Sequence, residues 1–169
     1  LVAPKGRVHP FEPAPTTCER LRRNVALNGF TNVHVHQLAL SSESGERTMA
    51  TITDGKDAWN SFAKPHVGGD VREELVPTMT LDAFATAHQL DHTVALVKID
   101  VEGWELPVLQ GARHFLSRPD APILQVEFTD EAATAAGFSC QAVYRLLEEY
   151  GYRMYRFEAM DLTIKNTCS

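Results

Sequence analysis

The segment TVALVKID, residues 93–100, constrains the fold of this chain more than any other. Residues 94–97 form a continuous apolar run, which is typical of a parallel strand buried on both of its faces. The run ends at Asp100, and Gly103 follows where a helix begins. The segment therefore predicts a buried strand that passes almost directly into a helix.

Similar strand and helix signals alternate along the rest of the chain. Strands are predicted at residues 7–11, 32–40, 75–80, 93–100, 121–128 and 152–157. Helices are predicted at residues 15–29, after Thr80, after Gly103 and at 139–151. This alternation predicts an α/β fold, a mostly parallel Rossmann-like sheet with helices on both faces.

Local signals define several element ends. Thr16 and Glu19 form a capping-box pattern, and Gly29 occupies the place of a left-handed helix end. Thr80 or Asp82 is expected to cap the helix that follows residue 80. The helix after Gly103 is expected to bury one stripe: Val108, Leu109, Ala112, Phe115 and Leu116.

Composition narrows the class of protein. The chain has 169 residues, and we treat residues 1–169 as a single domain. A formal net charge of -6 disfavours nucleic acid as a partner. Three widely spaced cysteines favour a reducing, cytoplasmic compartment, and no apolar run has the length of a membrane span.

Acidic residues gather where predicted strands end: Glu12, Asp100 with Glu102, and Glu127. In parallel α/β sheets, ligands bind outside the carboxyl ends of the strands. Glu12 is either a ribose-binding carboxylate or a surface acid. Asp100 and Glu102 either bind a cation, act as a base or position a substrate, or Asp100 simply caps the next helix while Glu105 complements its dipole.

Other residues carry weaker signals. His66 and His88 are candidate bases, and His34 with His36 is predicted to form a solvated strand face rather than a metal site. The long loop at residues 53–70 carries Trp59, which together with Phe62 and Trp104 either lines a substrate pocket or packs in the core.

Five segments occur in a characteristic order and spacing. They are GRVHPFEPAPTTCERLRRNVALNG, NVHVHQLALSSESGE, TLDAF, VKIDVEGWELPVLQGARHFL and ILQVEF. With the patterns FEP-x-P and KIDVEG-x-E-x-x-x-L-x-G, the chain resembles the FkbM-type S-adenosylmethionine-dependent methyltransferases over residues 6–157. The resemblance implies a class I methyltransferase sheet and methyl transfer to a hydroxyl group on a small molecule, sugar or glycan.

The resemblance also implies site residues. Glu12 matches the acid that holds the cofactor ribose, and Gln37, Leu38 and Ala39 match the segment that lines the adenine. Asp100 matches the position beside the methionine part of S-adenosylmethionine and the transferred methyl group. With Glu102, Asp100 is a candidate catalytic residue.

The acceptor side is less defined. Glu127 and Trp59 are candidates for contact with the acceptor, no metal is expected, and an oligomer is compatible with the sequence.

The chain departs from the family pattern at its start. Such proteins place a strand and a glycine-rich loop before the FEP strand, whereas five residues precede Gly6 here. We expect either upstream residues or a sheet that closes differently, with strands two and four no longer neighbours. The alternatives are a non-catalytic methyltransferase-like domain, a truncated fragment, or another nucleotide-using enzyme such as a dehydrogenase.

Overall fold

The computed structural model describes residues 6–52, 62, 71–90, 92–127, 129–157 and 164–166. Within these residues the helices are α1 (Pro15–Leu27), α2 (Leu81–Ala87), α3 (Glu105–Gln110), α4 (Arg113–Leu116), α5 (Asp130–Ala135) and α6 (Cys140–Glu149). The strands are β1 (Ala39–Leu40), β2 (Gly45–Ile52), β3 (Val71–Met79), β4 (Leu96–Ile99), β5 (Ile123–Val126), β6 (Tyr155–Phe157) and β7 (Ile164–Asn166).

Ahead of β1, two extended segments at residues 8–11 and 33–36 lie parallel to each other. They meet at two bridges, Val8 with Val33 and Phe11 with His36. Pro10 has no N–H group, so its position cannot donate to a continuous ladder. Its carbonyl oxygen still accepts from the His36 N–H at 2.9 Å. The predicted parallel strands at these places are therefore present as a short, interrupted pair.

Helix α1 starts differently from the prediction. Its N-cap is Ala14 and no side chain caps it, so the capping box of Thr16 and Glu19 is wrong. Pro15 stands at the first helical position with its fixed φ, which places Thr16 inside the first turn instead of before it. The expected end is confirmed, because Gly29 has a φ of 64° just after the helix.

The described strands form several small sheets. β1 pairs with β3 in parallel, β2 pairs with β3 antiparallel, β4 pairs with β5 in parallel, and β6 pairs with β7 antiparallel. The α/β class is confirmed, whereas one continuous, mostly parallel sheet is not observed in the described part of the chain. The long antiparallel hairpin of β2 and β3 accounts for much of the difference.

The prediction that β4 is buried on both faces is wrong. Ile99 is 3% exposed and belongs to the main core, but Leu96 is 55% exposed and its register partner Ile123 is 72% exposed. One face of this strand pair packs against the core through Val97, Leu124 and Val126, whereas the other is exposed, so the expected layers on both faces are not seen in the described residues. Alternate residues of β4 and β5 consequently face solvent.

The main core lies under α3, α4 and α6. The stripe predicted after Gly103 is confirmed, since all five of its members are at most 3% exposed: Val108, Leu109, Ala112, Phe115 and Leu116. The single predicted helix is divided into α3 and α4 at Gly111, and Pro107 lies in the first turn of α3, as required.

Gly111 brings this core against the end of β1. A Cβ atom at position 111 would lie 2.0 Å from the carbonyl oxygen of Ser41. The absence of a side chain therefore allows the two backbones to touch. Among the described residues, no helix combines the length and apolar character needed to cross a membrane.

Candidate functional site

The acids predicted at β4 and β5 lie at the same edge of the two-stranded sheet. The Glu127 N–H donates to the carbonyl of Ile99 at 2.9 Å, which extends the parallel pairing just past both strands. Asp100 follows Ile99 directly, and its carboxylate lies 2.7 Å from the Lys98 ammonium. Asp100, Glu102 and Glu127 are thus brought together at the carboxyl ends of adjacent strands.

Asp100 does not cap the helix after it. The N-cap of α3 is Trp104, and no side chain bonds there. Lys98 and Asp100 are two positions apart on an extended chain, with Ile99 between them, so both side chains point to the same face and pair with each other. This ion pair could have been predicted from the i, i+2 spacing on a strand.

Between β4 and α3 the backbone makes a tight left-handed turn. Glu102 has a φ of 49° and Gly103 a φ of 96°. The side chain of Glu105 folds back beneath this turn, where its Oε1 atom accepts the Gly103 N–H at 3.1 Å and the Val101 N–H at 3.4 Å. Glu105 lies in the first turn of α3, as the sequence predicts, but its side chain is only 2% exposed.

The electrostatics of this turn single out Glu102. Burial raises the pKa of the Glu102 carboxyl above its ordinary value, and the negative charges of Asp100, Glu105 and Glu127 raise it further. A carboxylate with a raised proton affinity is better suited to accept a proton near neutral pH. The hydrogen bond to Asp100 also raises the pKa of the Lys98 ammonium group, which favours its charged form.

Trp104 connects this turn with four other residues of the fold. Its indole N–H donates to Ser41 Oγ at 3.3 Å, just after β1. Its ring lies 5.0 Å from the ring of Phe62 and 5.6 Å from that of Phe138, between centroids. The guanidinium of Arg47, on β2, lies over the indole at 5.3 Å. Trp104 and Phe62 are therefore neighbours, and Arg47 is a contact that the sequence did not reveal.

Glu12 ends the parallel segment at residues 8–11, as predicted. Its N–H donates to the carbonyl of His36 at 3.0 Å, and its Oε1 accepts the Ala14 N–H at 3.0 Å. The second bond turns the chain into α1 and fixes the carboxylate at the strand end. The charge of Glu12 also contributes to the raised pKa of the buried Cys18 thiol, after the larger effect of burial.

The segment expected to line the adenine follows the partner strand. Gln37 is exposed, and its Oε1 accepts from Arg22 of α1 at 3.2 Å. Leu38 is half-buried, and Ala39 is 5% exposed where β1 begins. These three residues and Glu12 therefore lie at the carboxyl ends of two paired parallel segments.

The prediction of a solvated face is confirmed for His34, which is exposed, whereas His36 belongs to an aromatic cluster under these segments. The rings of His36 and Phe11 stack at 5.2 Å, and both approach Phe84 of α2 at 4.7 Å. His9 Nδ1 lies 3.0 Å from His36 Nε2, and His88 stacks on Phe84 at 4.2 Å. His36 is consequently half-buried, because α2 covers this side of the strand pair.

The remaining predicted residues divide into two groups. Trp59, His66 and Cys168 lie outside the described residues. His88, a candidate base, lies within the described residues, where its ring stacks on Phe84 in the aromatic cluster. Among the described residues, no group of three or more metal-binding side chains has an arrangement that would hold a metal ion.

Comparison with known proteins identifies the family. A family model described as the methyltransferase FkbM domain matches residues 1–154. The chain belongs to this family. The resemblance found from the motifs is thus confirmed.

The FkbM-domain chain is similar to two further proteins. It is 27% identical over 123 residues to Methyltransferase 1 of Beauveria bassiana (strain ARSEF 2860), which covers 64% of the chain and 49% of that relative. Its fold matches the crystal structure of methyltransferase FkbM from Methylobacillus flagellatus KT with a TM-score of 0.57 at 18% identity. That match covers 92% of this chain and 34% of the other. The chain thus spans about half the length of the curated relative.

Proposed function

We propose that this chain is a methyltransferase domain that binds S-adenosylmethionine and methylates a hydroxyl group. The observation that carries the proposal is the convergence of Asp100, Glu102 and Glu127 at the carboxyl ends of β4 and β5. In α/β sheets this edge is where ligands bind. Membership of the FkbM family supports methyl transfer as the reaction performed there.

The residues of the paired segments fit the nucleoside part of the cofactor. A carboxylate provides two acceptor oxygens and no donor, which suits two ribose hydroxyl groups. Glu12 is fixed at its strand end by the Ala14 N–H, so its carboxylate is oriented before any ligand arrives. Gln37, Leu38 and Ala39 follow the neighbouring segment and would line the adenine.

The chemistry assigned to the turn is proton removal and alignment. When bound, S-adenosylmethionine would supply an electrophilic methyl group: the O–CH3 bond would form as the S–CH3 bond breaks, with S-adenosylhomocysteine as the leaving group. Glu102 would accept the hydroxyl proton, for which its raised pKa is suited. Asp100, held by Lys98, would orient the methionine end and the acceptor.

The acceptor is assigned only by class. Glu127 can accept hydrogen bonds from hydroxyl groups beside the proposed base, and Trp104 and Phe62 offer apolar ring surface nearby. Such a combination suits a hydroxylated small molecule, a sugar or a glycan. Trp59 stays a prediction for the same side of the site.

The proposal is tested by calorimetric titration of S-adenosylhomocysteine into the chain. Glu12→Ala removes both ribose acceptors and is expected to weaken binding at least about tenfold, the effect of losing one charged hydrogen bond. Glu19→Ala is the matched control, since it removes an exposed acid from neighbouring α1. Unchanged affinity of Glu12→Ala would remove Glu12 from the site.

Two further measurements separate the alternatives. Transfer of a radiolabelled methyl group to a panel of hydroxylated acceptors distinguishes an enzyme from a binding domain, and Asp100→Asn should abolish it while the fold is retained. Titration with NAD addresses a dehydrogenase. Binding of NAD in preference to S-adenosylhomocysteine, or normal transfer by Asp100→Asn, would contradict the proposal.

A further inference from the structure

The turn that presents the proposed base is built around a single buried side chain. Glu105 is 2% exposed, and one oxygen of its carboxyl group accepts the N–H groups of both Val101 and Gly103. These two donors bracket Glu102. The side chain of a helix residue therefore holds both ends of the segment that carries Glu102.

This segment needs such support because its backbone is unfavourable. Glu102 lies in the left-handed region with a φ of 49°, which is unfavourable for a non-glycine residue. Gly103 follows with another positive φ. Left-handed conformations at non-glycine residues persist where the surrounding structure fixes them, and they concentrate at functional sites.

The turn is also held from outside. A Cβ atom at position 103 would lie 2.4 Å from the carbonyl oxygen of Ala132, so the backbone of the turn rests directly on α5. Next along the chain, the indole N–H of Trp104 donates a hydrogen bond to Ser41 Oγ. Glu105 supplies the inner contact, which leaves little freedom for the Glu102 backbone.

Glu105 also acts on Glu102 electrostatically, through the negative charge of its carboxylate. Within the part of the chain that the structure describes, three acidic groups raise the pKa of Glu102 through their charge: Asp100 after β4, Glu105 on α3 and Glu127 after β5. Their negative charges make loss of the Glu102 proton less favourable. Of these, Glu105 is the one whose side chain is almost fully buried.

We propose that Glu105 is the positioning residue of this site: its buried carboxyl group fixes the turn at Gly103 and places a negative charge beside Glu102. This inference rests on the proposed role of Glu102 as base. Its structural content is independent of any ligand, because it concerns hydrogen bonds and charges within the chain.

Two variants of the full chain separate the hydrogen bonds from the charge. Glu105→Gln keeps an Oε1 acceptor for both N–H groups but removes the negative charge. Glu105→Ala removes both. Amide hydrogen exchange measured by NMR should leave Gly103 protected in Glu105→Gln and make it exchange on the order of tenfold faster in Glu105→Ala.

The carboxyl carbon resonance of Glu102, followed through a pH titration, reports the second effect. In Glu105→Gln its titration should move to lower pH than in the parent chain, because a neighbouring negative charge is gone. Glu148→Gln, an exposed acid on α6, makes the same chemical change and should leave the Glu102 titration in place.

Equal protection of Gly103 in all three chains, or an unmoved Glu102 titration in Glu105→Gln, overturns the proposal. If Glu105→Ala does not fold, the titration in Glu105→Gln decides alone. Neither measurement uses cofactor or acceptor, so absent methyl transfer would contradict the proposed function without affecting this result. If transfer is found, the acid limb of its pH profile should shift to lower pH in Glu105→Gln.

Discussion

His9 and His36 share a hydrogen bond between their rings, with Nδ1 of one 3.0 Å from Nε2 of the other. One of the two nitrogens must be unprotonated to accept, so the contact requires at least one neutral ring. Burial, followed by the neighbouring His9, His88 and His34 in that order, lowers the pKa of His36 to about 4. His9 is shifted in the same direction, mainly by burial.

These shifts predict that the chain loses stability in mild acid. An unfolded histidine titrates near 6.5, so between about pH 6.5 and 4 the unfolded state binds more protons than the folded state. The stability is complete above this window and falls as the pH drops. For His36 the free energy of unfolding lost between pH 7 and 5 is on the order of 1–2 kcal/mol. Solvent screening reduces this value, because His36 is only half-buried.

Urea unfolding at several pH values measures this dependence. His36→Phe keeps an aromatic ring between Phe11 and Phe84 but cannot be protonated, so its stability should fall less between pH 7 and 5. His114→Asn, at an exposed position on α4, serves as the control. If the free energy of unfolding fell equally with pH in the parent chain and in His36→Phe, the assignment of the pH dependence to His36 would be refuted.

Gly111→Ala is expected to be strongly destabilising. The added Cβ would meet the Ser41 carbonyl oxygen at 2.0 Å, so α3 and the end of β1 must separate. Overpacking of this kind costs about 1–3 kcal/mol or more. Gly29→Ala is the comparison, because position 29 has open space and only a left-handed φ to strain, worth about 1 kcal/mol. Thermal unfolding should rank Gly111→Ala as the less stable variant; the reverse order would contradict the close contact.

The two faces of β4 are expected to differ sharply in their contribution to stability. Ile99→Ala removes a side chain that is 3% exposed and should cost about 2–5 kcal/mol. Leu96→Ala, on the same strand, truncates a side chain that is 55% exposed and should cost within about 0.5 kcal/mol. Chemical denaturation measures both. A large loss for Leu96→Ala would mean that this face is covered in solution.

The exposure of the β4 face that carries Leu96 could not be predicted from the sequence. The apolar run at residues 94–97 predicted a strand correctly, because strand propensity and length are local properties. Whether a second layer covers Leu96 depends on elements far away in the chain, which a local run does not encode. The same limit explains the missed aromatic cluster, since His9, His36 and His88 are separated by 27 and 52 residues.

The acidic turn was more predictable. The positions of Asp100 and Gly103 after an apolar strand indicated a strand end and a helix start, and the structure has the strand end before Asp100 but a turn at Gly103, with the helix beginning two residues later at Glu105. Their hydrogen bonds were not predictable in the same way. Capping by Asp100 and dipole complementation by Glu105 are both reasonable from sequence, but Lys98 competes for Asp100 and the turn folds over Glu105.

Cys140 is expected to react slowly with alkylating reagents. Burial, the hydrogen bond with Asp130, and the charges of Asp130 and Glu105 raise the pKa of its thiol to about 11 from an ordinary 9.0. At pH 8 the thiolate fraction is then lower by about a hundredfold, while the more basic thiolate is intrinsically more nucleophilic, which leaves a net rate about tenfold lower.

Iodoacetamide labelling followed by peptide mass spectrometry isolates this cysteine from the others. Asp130→Asn removes the nearest charge and should accelerate labelling, whereas Glu131→Gln, the adjacent acid on α5, should not. A Cys140 that labels as fast as free cysteine in the parent chain would show that its thiol is neither shielded nor paired with Asp130.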